Sequence, residues 1–242
     1  MSLLTLLILL LPSLAFGAVA HQTTTVLTAT GTNTIGGSVT VSAGSNLALY
    51  CTVMVNSNNG SAVSGTPTYN SVNLTHVKEQ VTDATFARGD MWRLVASSTG
   101  ANTVTFNMSD TFQAAVLVCS SFTGVDQTTP EGTPLGNNDH ATGTSLTVPA
   151  DGIGYEVSAD QQSSTGCVTS QTAGGSQTTV LSPTCADAGA GNSTVGMAST
   201  ISATTTPTWT DGGGGPWKTQ ILVPINAASG AASNFFLRRR NQ

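Results

Sequence analysis

The residues of this 242-residue chain that could do chemistry are few: three histidines, twelve carboxylates, four cysteines and three tryptophans. A histidine at the start of a mature chain can hold copper through its amine and imidazole, with a second histidine completing the site. Cleavage after Ala20 would expose His21 in that way, with His76 or His140 as second ligand, the arrangement of a copper-dependent polysaccharide monooxygenase. Against it, "HQTTTVLTATGT" reads as an ordinary first strand. His76 has the strand parity of Val72 and Leu74, and Asp139 with His140 makes one pair in a polar loop, too few ligands for a metal site. Glycoside hydrolysis needs two carboxylates facing each other across a cleft, and the three glutamates (Glu79, Glu131, Glu156) and nine aspartates are scattered. HExxH, Gly-x-Ser-x-Gly, a phosphate-binding glycine loop and an EF-hand pattern are all missing from the sequence. The expectation is a chain without catalysis and without a cofactor. Aromatic faces suit sugar rings, so Trp209 and Trp217, which flank "DGGGGP", are the candidates for an exposed carbohydrate platform; Trp92 lies in a core-like strand.

The elements that would position these groups read as strands. Thr, Ser, Gly, Asn and Val dominate, which favours strands and turns over helices. In "NLALYCTVMV" Leu47, Leu49, Cys51, Val53 and Val55 share one face and Ala48, Tyr50, Thr52 and Met54 the other; both faces are apolar, as in a central strand covered on two sides. "TPTYNSVNLTHV" reads as a hairpin with Asn70-Ser71 at its turn, because Asn tolerates positive φ. "DMWRLVA", "STGANTVTFNM", "FQAAVLVCSSF", "TSLTVPADGIGYEVSAD" and "PWKTQILVPI" continue the period of two. Thinner signals lie in "GCVTSQ", "SQTTVLS", "STVGMAST" and "PTWT". Turn signals about every ten residues predict an antiparallel, jelly-roll-like β-sandwich, one domain over 21–226 with long Gly/Ser/Thr loops between 160 and 216.

Residues 1–20 read as a secretory leader, with small-residue cleavage sites after Gly17 or Ala20, and no second apolar stretch reaches membrane-spanning length. An even number of cysteines behind such a leader favours disulfides, expected as Cys51–Cys119 and Cys167–Cys185; four buried free thiols are the alternative. Seven Lys+Arg against twelve Asp+Glu give a net charge of −5, which disfavours nucleic acid as a partner. Only 8% of residues are charged, so hydroxyls and amides must keep the surface wet. The tail 227–242 reads as flexible; its Phe235, Phe236, Leu237 and the cluster Arg238, Arg239, Arg240 form a candidate docking peptide.

In "SSFTGVDQTTPEGTP" Gly124 supplies a bend, Val125 packs back, Asp126 and Thr128 can cap loop amides, and Pro130 and Pro134 end the sheet: a structural corner. The succession "TPTYNSVNL", "MWRLVASSTGANTVTF" and "SFTGVDQTTP" resembles a β-sandwich module of bacterial extracellular and phage-derived proteins, over about residues 35–160. The corner matches that pattern closely, while Ser71 stands where glycine is usual and Ala96-Ser97 where proline is common. The resemblance implies an exterior structural, decoration or adhesion subunit, on cells or virions, with itself, other surface proteins or glycans as partners. It carries over no catalytic residue.

Overall fold

The computed structural model describes residues 18–162, 166–189, 192–210 and 217–229, and the leader core and the docking tail lie outside these. Every regular element described is a strand: β1 (Ala20–Val41), β2 (Ala48–Asn56), β3 (Thr68–Tyr69), β4 (Val72–Asn73), β5 (Thr75–Asp83), β6 (Ala87–Val95), β7 (Gly100–Thr123), β8 (Leu135–Asn137), β9 (Ile153–Gln162), β10 (Gln177–Asp187), β11 (Ser193–Ile201) and β12 (Trp217–Ile225). The expected antiparallel β-sandwich is what forms. One sheet runs β4-β3-β7-β2-β6-β5 with β1 also on β7, and the other runs β10-β11-β9-β12-β8.

The two longest strands explain an additional layer. β1 and β7 pair along nearly their whole length, with register breaks at Gln22 and Asn33. Beyond Asn33 the ribbon folds back over its own first half, so that a Cβ on Gly37 would lie 3.1 Å from the Leu27 side chain and Thr23 Oγ1 donates to the Thr40 carbonyl at 2.9 Å. The returning half carries Ile35, Val39, Val104 and Phe106 onto Leu49, Val53, Leu117 and Cys119. The middle strands are thus covered twice, and all nine residues of β2 are buried. On the other face of β2, Tyr50 and Met54 join Val116, Phe122, Tyr155, Val157, Ile221 and Val223 in the core between the sheets. Phe122 meets Tyr50 and Tyr155 edge to face, at 5.8 and 5.1 Å between ring centroids. Each such side chain contributes roughly 1.5–3 kcal/mol by leaving water. Close approach of the sheets requires Gly196, where a Cβ would stand 2.7 Å from Val116.

Cys51 and Cys119 are directly opposite in the β2–β7 register and form one disulfide; Cys167 and Cys185 form the other. Asn70 and Ser71 both take positive φ, 49° and 62°, which makes the tight β3–β4 turn. Three expected strands are not strands. Thr144–Val148 reduces to one bridge, Leu146 to Thr205, and 166–171 lies outside regular structure. "PTWT" likewise keeps only the bridge from Ala173 to Trp209. Among the described residues no helix is long and apolar enough to cross a membrane.

Candidate functional site

The densest set of reactive groups lies on the outer face of the five-stranded sheet. Alternation along β9 turns Tyr155, Val157 and Ala159 toward the other sheet, and therefore turns Glu156, Ser158 and Asp160 away from it. That outward face is not wet: Glu156, Ser158, Asp160 and Gln220 are 0% exposed beneath loops carrying His140, Gln171 and Trp209. Glu156 Oε1 accepts from Trp209 Nε1 (3.0 Å), Gln220 Nε2 (2.6 Å) and Ser158 Oγ (2.8 Å). Its Oε2 accepts from Gln177 Nε2 (2.5 Å) and Ser199 Oγ (2.7 Å). Five donors occupy one carboxylate, which leaves no lone pair facing a substrate. The donors supply what a countercharge otherwise would.

Asp160 bonds His140 Nε2 at 2.7 Å and accepts from Gln171 Nε2. A histidine–carboxylate pair is part of a hydrolytic triad, but a nucleophile would have to meet the other ring nitrogen. His140 Nδ1 has no hydrogen-bond partner and the ring is fully buried, so the pair anchors the 138–148 loop to β9. The sequence singled out His140 and Trp209 for other roles, named Glu156 only among scattered acids, and gave no prominence to Asp160, Gln171 or Gln220. The signal was the polar parity of β9, which reads as a solvent face until its cover is known.

Trp209, expected on an exposed platform, is a core residue at 1% exposure, held by its bond to Glu156; it offers no face to a sugar. Trp217 is half-buried and stacks on Phe86, 4.6 Å between centroids and 18° between planes. The histidines do not converge. His21 and His76 occupy opposite edges of one sheet, with β7, β2 and β6 between them, so four strand spacings of about 4.8 Å hold them roughly 19 Å apart. His140 lies on the far side of the other sheet. His21 Nε2 bonds Thr24 Oγ1 at 2.8 Å, and burial lowers its pKa. A copper site with His76 or His140 as second ligand is not assembled, and among the described residues no cluster of three or more His, Cys, Asp or Glu side chains could hold a metal.

Glu79 and Asp90 are cross-strand partners on β5 and β6, the juxtaposition that carboxylate chemistry would need. Arg88 lies between them, donating from Nε to Asp90 Oδ2 at 3.1 Å and from Nη2 to Glu79. Asp90 is mostly buried, and desolvation raises its pKa against the opposing pull of Arg88. His76 stands 3.7 Å from Asp90 and packs on Trp92.

The corner is built as its residues dictate. Gly124 takes φ 75°, Val125 is buried in the inter-sheet core, and Asp126 Oδ1 accepts from the Thr128 and Thr129 amides at 2.8 and 2.9 Å, which lowers its pKa. Gln127 binds the Leu47 carbonyl and the Ala96 amide, tying the corner to two strand ends. Glu131 accepts from Arg93 Nε at 2.8 Å and from Tyr50 Oη at 3.2 Å. Asp126 serves the loop's own conformation, while Gln127 and Glu131 fasten the loop to β2 and β6.

Among the described residues the surface carries several open concavities, and one of about 210 Å³ at the corner includes Asp126. One of about 460 Å³ is lined by Thr133, Leu135, Leu146, Pro149 and Pro224; another of about 330 Å³, by Thr68, Asn70, Ser71, Asn102 and Thr103. Neither contains a carboxylate, a histidine or an aromatic ring. Comparison with known proteins returns no match: no family model, no curated protein and no solved structure resembles the chain significantly.

Proposed function

We propose that this protein is an exported β-sandwich that serves as a structural, decoration or adhesion subunit on a cell or virion surface, without catalysis. One observation carries the reading: Glu156, Asp160 and His140 are sealed from solvent as loop anchors, while the surface is left to hydroxyls and amides. The two disulfides suit an oxidising compartment. The test is fractionation of the native host or particle, with the protein expected in the surface or virion fraction. A strictly monomeric chain found only free in the medium overturns it.

Export in this reading ends with cleavage after Gly17. Val19 is 7% exposed in the inter-sheet core and its amide donates to the Asp151 carbonyl at 2.9 Å, so cleavage after Ala20 would strip a core residue from the fold. N-terminal sequencing of the exported protein is expected to begin at Ala18. A chain beginning at His21 overturns this assignment.

A second reading, glycan binding, is favoured by Trp217 alone, which is half-buried and stacks on Phe86. Pull-down on insoluble polysaccharides of wild type and Trp217→Ala separates the two readings. Retention of wild type and loss in the variant supports the lectin; no retention of either removes it.

A further inference from the structure

The strand edges of this molecule are not treated alike. β10 carries Pro183, two register breaks, the disulfide at Cys185 and a terminal Asp187. β5 bears Lys78, Glu79 and Asp83 and is tied across to β12 by Thr82, whose hydroxyl donates to the Lys218 carbonyl at 2.8 Å. β4 and β8 are only two and three residues long. Charge, proline, bulges and brevity are the devices by which proteins keep edges from pairing.

β1 has almost none of them. Its 22 residues contain no Asp, Glu, Lys, Arg or Pro. Between the break at Gln22 and Gly31, which takes a left-handed φ of 62°, it is regular from Thr23 to Thr30, about 26 Å of edge. Among the described residues, no strand pairs with the side of β1 turned away from β7. Val26 and Leu27 at this edge are only half-buried, one against each core.

We propose that Thr24–Thr30 of β1 pairs antiparallel with the same segment of a second copy, joining the two β1-bearing sheets into one continuous sheet across a two-fold axis. The inference rests on the subunit reading and names its partner. A copy is the occupant the chemistry selects. Two chains of net charge −5 repel one another generally, and this edge is a stripe without charge where they can meet. A two-fold axis through Leu27 keeps residues of like parity opposite one another, as an isologous contact requires. Leu27 then meets Leu27 of the second copy, Val26 meets Thr28, Thr25 meets Ala29 and Thr24 meets Thr30. These are cross-strand pairs that a sheet accommodates well, and they cover the half-buried Val26 and Leu27.

Thr28 and Thr30 are exposed, so lysines there leave the single chain intact while setting like charges about the axis. Sedimentation of the exported chain is expected to show a concentration-dependent dimer. Hydrogen exchange of alternate amides between Thr24 and Thr30 should slow as the dimer fills. The variant T28K/T30K weakens association at least about tenfold, and an equal mixture with T28E/T30E restores it. A wild type that stays monomeric, a dimer indifferent to the lysines, or a monomer whose β1 amides are already protected overturns the proposal. A wild type that stays monomeric in solution yet sits in the surface or particle fraction removes this interface and leaves the subunit reading standing.

Discussion

The two faces of the five-stranded sheet are made by alternate residues of the same strands, and both are buried, yet they are built on opposite principles. Toward the other sheet stand Tyr155, Val157, Ala159, Ile221 and Val223; away from it stand Glu156, Ser158, Asp160, Ser199 and Gln220. The first face gains by area, which is indifferent to direction and tolerates small shifts. The second gains by directed bonds that fail together when one partner is removed. What the outer face obtains is a fixed course for three long loops poor in large apolar residues. Gln171, Gln177, Trp209 and His140 each dock on a β9 carboxylate, where an apolar strip would have let them slide.

The widest gap between the faces should appear at Glu156. Glu156→Ala strands five donors in a closed layer and is expected to cost about 3–5 kcal/mol in denaturant unfolding, with a shift in Trp209 fluorescence. Glu156→Gln keeps the volume but turns an amide donor toward other donors, and should recover only part of that loss. A cost for Glu156→Ala below 1 kcal/mol would mean that water already serves these donors, and the contrast between faces would collapse.

Its neighbour gives the matched measurement on the other face. Val157→Ala removes two methyl groups from the inter-sheet core and should cost about 2 kcal/mol, with Trp209 fluorescence unchanged. If Val157→Ala disturbs Trp209 as strongly as Glu156→Ala does, the two layers form one cooperative unit and do not answer to different forces.

Much of the inner face was legible in the sequence, and little of the outer. The run Leu47–Val55 announced a strand with two apolar faces, and both faces are where alternation puts them. Cys51 and Cys119 lay in two such runs and met across adjacent strands. Asn70-Ser71 and Gly124 declared their turns through residues that accept positive φ. Alternation, however, states which side of a strand a residue takes and not what lies over that side. Glu156 therefore read as one of several scattered acids and Trp209 as a surface ring, when each is the other's partner. The covering loops hold by single side-chain bonds at irregular spacing, which leave no period to detect; for the same reason Thr144–Val148 looked like a strand and forms only one bridge. The folding back of β1 on itself was hidden too, since its alternation continues through the break at Asn33.

The finest test sets a polar atom inside the apolar face. Tyr155 is wholly buried, its hydroxyl donating to Ser120 Oγ at 2.9 Å, and burial raises its pKa well above the usual phenol range. Tyr155→Phe should cost about 1 kcal/mol near pH 7, the net worth of one hydrogen bond. Above about pH 10 the unfolded chain releases the phenol proton while the folded chain retains it, so the unfolded state binds fewer protons and wild-type stability falls as pH rises. Tyr155→Phe lacks that contribution, and its deficit should shrink by up to about 1.4 kcal/mol per pH unit beyond that point. Tyr50, also raised by burial and by Glu131, keeps a decline in both proteins. Unfolding measured from pH 8 to 11 should therefore bring the two curves together near the upper end. Parallel curves would show that Tyr155 ionises as easily folded as unfolded, and hence that water reaches the inner face, which on this geometry is the dry one.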